Sequence, residues 1–232
     1  MQRSILKWND EMYTKHPTPY AGLAGVVERM RVRKICSIAD INPTDTVLEV
    51  GCEAGNLIAR LPECNRLVGV DISEVALHDA QSRFRTIGRT AQFLLCDATE
   101  RLPFSRGEFS VIICSEMLEH VYEPNKVIEN ILNLSEPATR IILSVPNEKP
   151  KIRLKRLLSR TGVMRFILPG IEPGQSEWHV QSYSRSSFMA LISDRMTVVS
   201  LDAVLGLHFI ALCKRADSEQ TDALDGHSAG AP

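Results

Sequence analysis

Val47-Leu48-Glu49-Val50-Gly51-Cys52-Glu53-Ala54-Gly55-Asn56, followed by Val68-Gly69-Val70-Asp71, is the stretch on which the reading of this chain turns. The first run is apolar and β-branched and ends in glycines, the pattern of a buried strand that feeds a tight turn and then a helix. Glycine in such a turn lets backbone approach a ligand. The second run closes on an acidic residue, which places a carboxylate at the carboxyl end of a neighbouring strand. There it can accept two hydrogen bonds from a ribose diol. Together the runs predict a nucleoside site.

The loop also selects among nucleosides. A dinucleotide fingerprint needs G-x-G-x-x-G so that a helix N-terminus can meet a pyrophosphate, whereas Gly51 and Gly55 stand in a G-x-x-x-G spacing. Glu53 lies where backbone would meet the ligand, and its carboxylate repels phosphate charge. S-adenosyl-L-methionine carries a sulfonium, an ammonium and one carboxylate, with no phosphate. The loop therefore favours it over NAD.

Working outward, short apolar runs alternate with helical stretches: Thr46 to Val50, Leu67 to Asp71, Gln92 to Cys96, Phe109 to Cys114 and Arg140 to Val145. Such alternation predicts an α/β fold of βαβ units on a parallel sheet, with ligands at the strands' carboxyl ends. Two later runs, Met196 to Val204 and His208 to Cys213, are too close for a crossover helix, so an antiparallel hairpin is expected at one edge. Residues 21 to 39 show helical apolar spacing at Leu23, Val26, Val27, Met30, Ile35 and Ile38. The expected organisation is a flap and helix over 1–39, one domain over 40–215 that includes a basic insertion at 149–178, and a disordered tail over 216–232.

With 232 residues, 44% of them hydrophobic, one substantial core is expected. A net charge of -1 gives no electrostatic case for nucleic acid. No run reaches the roughly 18 apolar residues of a membrane span, and the polar start Met1-Gln2-Arg3-Ser4 is unlike a signal peptide. A cytoplasmic protein is expected. Cys36, Cys52, Cys64, Cys96, Cys114 and Cys213 form no C-x-x-C pair and read as reduced, mostly buried thiols.

Glu49-Val50-Gly51-Cys52 with Gly55, Asp71, Asp97-Ala98 and Ser115-Glu116-Met117-Leu118-Glu119-His120-Val121 resembles the class I S-adenosylmethionine-dependent methyltransferases. The resemblance implies a Rossmann-like, doubly wound, seven-stranded sheet with one antiparallel strand near its edge. It implies that Asp71, followed by Ile72, holds the ribose hydroxyls, that Asp97 meets the adenine amino group with Ala98 beside the ring, and that Gly51 and Gly55 contact the methionine part. Glu49, Cys52 and Ser115 join this cofactor set. The family usually has glycine where Glu53 stands. Asp71 and Asp97 also fit a plainer role, capping Ile72-Ser73-Glu74 and Ala98-Thr99-Glu100.

Should a helical turn begin as the fourth strand ends, Glu116, Glu119 and His120 share one face. Such a trio can hold a divalent ion, or His120 can act as a base steadied by a carboxylate. The stretch is especially similar to the ubiquinone-biosynthesis O-methyltransferases, where acidic residues and a histidine have been linked to a divalent ion. Leu-Glu-His-Val also recurs in methyltransferases that hold no metal, which leaves a structural or orienting role open. His179 returns the chain to the cleft rim, either as a base for a substrate hydroxyl or as a loop residue satisfied by backbone. Trp178 and Tyr183 offer the acceptor an apolar wall or simply close the core.

From Lys149 to Leu168 there are seven basic residues and no acidic one, interleaved with Leu154, Leu157, Leu158, Phe166 and Ile167. The segment suits either an anionic membrane surface or a lid over the substrate. The combined expectation is methyl transfer to a small or lipid-linked acceptor, at oxygen. N- or C-methylation of another metabolite, and a binding protein without turnover, are the alternatives.

Overall fold

The computed structural model describes residues 9–11, 14, 22–147, 150 and 179–216. The basic stretch apart from Pro150, Trp178, the tail beyond residue 216 and most of the expected flap lie outside the described residues. The elements are α1 (Gly22–Ala39), β1 (Thr46–Val50), β2 (Arg66–Asp71), α2 (Glu74–Ile87), β3 (Gln92–Leu95), β4 (Val111–Ser115), α3 (Pro124–Leu134), β5 (Arg140–Pro146), α4 (Arg185–Ser193), β6 (Met196–Val204) and β7 (His208–Arg215).

The strands form one seven-stranded sheet in the order β3-β2-β1-β4-β5-β7-β6. Strands β1 to β5 pair in parallel, and β7 runs antiparallel to both neighbours. The late hairpin and the single reversed strand next to the edge are as the sequence predicts. Strand order reverses between β1 and β4, so their carboxyl ends flank the crevice where a doubly wound sheet binds ligands.

The near-continuous apolar strands follow from burial on both faces. Leu48, Val50, Val68, Val70, Ile112, Cys114 and Leu143 point to one side, against Ile128 and Ile131 of α3 and Phe188 of α4. Val47, Leu67, Val111, Ile113 and Ile142 point to the other, against Val32 and Ile35 of α1 and Phe84 of α2. Pro124 opens α3, where its fixed φ suits the first helical position. Ser73 caps α2 by accepting from the Ala76 amide, and Gly88 ends the helix in the left-handed conformation.

Two local expectations change. The loop after β1 leads not into a full helix but into a single 3-10 turn, Ile58–Arg60. Pro62 follows closely, and the residue before a proline is pushed to extended conformation. In α1 the buried stripe is Arg31, Val32, Ile35 and Ala39, whereas Val26 and Met30 are 44% and 38% exposed. The helix runs against the strand direction: the Ala39 carbonyl accepts from Arg140 at the start of β5, while Arg31 meets Ser115 at the end of β4. Val26 and Met30 therefore stand towards the sheet's carboxyl edge, beyond the buried stripe.

All six cysteines are free thiols. Cys52, Cys114 and Cys213 are buried and the other three are half-buried. Burial pushes the thiols up, that of Cys213 to about 12, so they are poor nucleophiles. Among the described residues no helix is long and apolar enough to cross a membrane.

Candidate active site

The loop between β1 and the 3-10 turn is folded onto β2. The Val70 carbonyl accepts from the amides of Gly51 and Cys52 at 2.8 and 3.0 Å, and Gly55 donates to the Cys52 carbonyl at 2.8 Å. Gly51 holds φ +76, and a Cβ there would lie 2.5 Å from Cγ of Met117. The loop thus needs glycine for conformation and for space. Cys52 contributes backbone, because its side chain packs over Gly69 of β2.

Asp71 ends β2 and ties the two loops together. Its carboxylate accepts from the Glu53 amide at 2.8 Å and the Ser73 amide at 2.9 Å. Burial raises its pKa, and the amides of Ser73, Glu53 and Ile72 pull it back. Glu53 occupies the glycine-like position at φ +48, in the left-handed region. The departure from the family pattern is accommodated by backbone, with the Glu53 amide turned onto Asp71. Asp10 reaches the same corner: its Oδ1 accepts from Ser73 Oγ at 2.6 Å.

Asp97 lies just past β3, whose last residue, Leu95, pairs with Asp71. Its Oδ1 accepts from the Thr99 amide at 2.9 Å and hydroxyl at 2.6 Å, so the capping geometry read from the sequence is present. Asn130 of α3 braces the turn by donating to the carbonyls of Ala98 and Glu100. Asp71, Ile72, Asp97 and Ala98 thus line neighbouring strand ends.

Glu49 is buried at the base of the loop and accepts from the Ile58 amide at 3.0 Å. Burial pushes its carboxyl well above the usual range, with the Arg31 charge and that amide opposing. Arg31 is a residue the sequence reading passed over. The residue is 6% exposed, and its guanidinium meets Ser115 Oγ and donates from Nε to Glu28 at 2.9 Å. Val50 and Cys114 are in register, so Ser115 stands beside Gly51 and brings the Arg31 cation to the glycine loop. A signal existed: Arg31 lies four residues before Ile35, on the buried stripe of a helix.

After β4 the chain makes a 3-10 turn, Leu118–His120, rather than an α-helical one. Glu116 precedes it at φ +54. The group that converges is Glu119, His120 and His179, with one potential ligand atom from each within 4.8 Å of the others. Glu116 is not in it: its Oε2 lies 2.8 Å from Nδ1 of His208 on β7. The expected trio of Glu116, Glu119 and His120 is thus corrected, because the i, i+3, i+4 face requires an α-helical start that Glu116 does not adopt. His120 Nε2 lies 3.8 Å from Glu119 Oε1, and the rings of His120 and His179 meet edge-on with centroids 4.8 Å apart. Amides of Val180 and Gln181 donate to the Glu119 carbonyl at 2.9 and 3.0 Å, which fixes His179 against the turn. Tyr183 is buried and donates to the Leu118 carbonyl at 3.3 Å.

A glycine loop at the β1/β4 switch point, an acidic end to β2 and a reversed strand next to the edge define a methyltransferase-type nucleoside fold. The chain belongs to the methyltransferase domain family, whose family model matches residues 41–178. Among curated relatives, the ubiquinone biosynthesis O-methyltransferase of Thiobacillus denitrificans is 30% identical over 125 residues, covering 53% of this chain and 54% of that one. That of Methylococcus capsulatus is 31% identical over 124 residues, covering 53% and 52%. The matched part of the chain spans about half the length of these relatives. Magnesium protoporphyrin IX methyltransferase from Synechocystis PCC 6803, solved with bound S-adenosylhomocysteine, shares the fold with a TM-score of 0.66 at 16% identity, over 93% of this chain and 100% of that one. The N-methyltransferase NodS from Bradyrhizobium japonicum WM9 does so with a TM-score of 0.59 at 16% identity, over 82% and 88%.

Proposed function

We propose that this protein transfers a methyl group from S-adenosyl-L-methionine to an oxygen of a small or lipid-linked acceptor. The observation that carries the oxygen assignment is the convergence of Glu119, His120 and His179 beside the strand end that flanks the cofactor crevice. In this reading Asp71 accepts from the ribose hydroxyls and Asp97 from the adenine amine, with Ile72 and Ala98 against the nucleoside. Gly51, Gly55 and Glu49 shape the methionine pocket, and Arg31 meets the cofactor's carboxylate.

Methyl transfer is an in-line displacement at carbon, so positioning and exclusion of water supply much of the rate. The acceptor's hydroxyl proton is the one that needs a base. His120, steadied by Glu119 and the His179 ring, takes it as the oxygen attacks the methyl and the sulfonium leaves as a thioether. Two imidazoles and a carboxylate are also a chemically suitable set for a divalent ion. Such an ion would be held by Glu119, His120 and His179 and would lower the pKa of an acceptor hydroxyl.

The basic, acid-free sequence from Lys149 to Leu168 supports a lipid-linked acceptor met at an anionic membrane surface. The names of the curated relatives point the same way. A tritiated-methyl assay against fractionated cell extract tests the reading. Label is expected on an ether oxygen in the lipid fraction, with the rate raised by anionic vesicles. Label in the aqueous fraction alone would favour a small soluble acceptor, label on nitrogen or carbon would overturn the oxygen assignment, and none in any fraction would leave a binding protein. Repeating the assay in excess chelator separates the two roles of the histidines: abolished turnover restored by magnesium or zinc supports the ion, while full activity rejects it.

A further inference from the structure

Glu116 departs from the backbone on either side of it. It directly follows β4, yet holds φ +54, a conformation that side-chain-bearing residues seldom adopt. That turn aims its carboxylate at two strands. Oε1 accepts from Ser144 Oγ of β5 at 3.2 Å, and Oε2 lies 2.8 Å from Nδ1 of His208, at the start of β7. His208 is 7% exposed, and its buried Nδ1 faces this carboxylate.

The proton directions along this cluster follow from the chemistry of the groups. A guanidinium can only donate, so Ser115 Oγ accepts from Arg31. Each serine hydroxyl has one proton. That of Ser144 is given to Glu116, and the two hydroxyls lie 2.7 Å apart, so Ser115 donates to Ser144. The result is a one-way chain, Arg31 to Ser115 to Ser144 to Glu116, with His208 meeting the same carboxylate from the far side. Ser144 is fully buried and Ser115 nearly so. In such surroundings aligned hydrogen bonds polarise one another, and the carboxylate at the end orients every hydroxyl before it.

We propose that Glu116 and His208 are positioning residues for the amino-acid end of the cofactor. They anchor the hydroxyl chain that meets the Arg31 guanidinium on one side while Glu28 pairs with it on the other, and they act through Arg31 without touching the cofactor. This rests on the reading of Arg31 as the partner of the cofactor's carboxylate. It gives Glu116 a role other than metal ligation, and it gives β7, the reversed strand, a part in binding.

The test uses two ligands with the same nucleoside and thioether, of which only one has the amino-acid end. Calorimetry on the full chain would measure S-adenosylhomocysteine, which carries the carboxylate, and methylthioadenosine, which does not. Arg31→Met is expected to weaken the first by about 50-fold and the second by less than about twofold. Glu116→Gln and Ser144→Ala, which change volume little, should weaken the first by roughly 5- to 20-fold and spare the second. His208→Gln should behave like Glu116→Gln. Equal loss for both ligands in Glu116→Gln and Ser144→Ala would reduce the cluster to a structural support and overturn the proposal, as would no loss for either. Should Arg31→Met itself fail to separate the ligands, the reading of Arg31 falls and the proposal with it. Loss on Arg31→Met alone would overturn only the relay.

Discussion

Replacing Asp71 by alanine is expected to weaken binding of S-adenosylmethionine by about 1.5 to 3 kcal/mol, the scale of hydrogen bonds to a charged group. In the proposed function the carboxylate serves the ligand and the loop at once. In the structure it accepts from the amides of Glu53 and Ser73, so its removal leaves two backbone donors without their acceptor as well as the ribose hydroxyls without theirs. Calorimetry with S-adenosylmethionine and with NAD checks both halves of the argument. Tighter binding of NAD than of S-adenosylmethionine by the unaltered protein would refute the cofactor assignment. The affinity should also depend on pH in a defined sense. The ionised carboxylate is the form that accepts from ribose, and burial has raised its pKa from 3.8. Affinity should therefore fall as pH is lowered through that raised value, with the loss setting in above the ordinary aspartate range. Asp71→Asn should lack this titration.

The second large effect is on the loop itself. Gly51→Ala asks an L side chain to hold φ +76 and puts a Cβ 2.5 Å from Cγ and 2.9 Å from Cβ of Met117. The left-handed conformation costs about 1 to 2 kcal/mol and overpacking about 1 to 3, so roughly 2 to 5 kcal/mol of stability should be lost. Urea unfolding would report this as a lower midpoint at unchanged slope. The two contributions separate in a double-mutant cycle. Adding Met117→Ala to Gly51→Ala should recover the overpacking part and leave the conformational part, a coupling of about 1 to 3 kcal/mol. Additivity of the two substitutions would show that the contact does not strain the loop.

The glycine loop, Asp71 and the late hairpin were legible because each rests on local chemistry: apolar runs, a turn that needs glycine, and a connection too short for a crossover. Arg31 was legible only through its place on the stripe of α1 that carries Ile35, and His208 was not. An arginine in a helix ordinarily reads as solvated, and its burial appears only when α1 is laid across the end of β4. His208 opens a strand whose apolar residues give no reason to single it out. Glu116 was misplaced because nothing in its side chain announces a left-handed backbone. The tight turn that follows it then brings His179, distant in sequence, to the place expected for Glu116.

In the proposed reaction the acidic loop bears on how the product cofactor leaves. Glu49, Glu53 and Asp71 lie close enough to interact electrostatically. The sulfonium of S-adenosylmethionine is cationic, and the thioether left after transfer is not, so methyl transfer would cancel a charge that ionised carboxylates here attract. The spent cofactor should therefore be held less firmly than the one that entered, which would favour its departure. Glu53→Gln should narrow the gap between the two dissociation constants, and an unchanged ratio would assign the discrimination to other parts of the pocket.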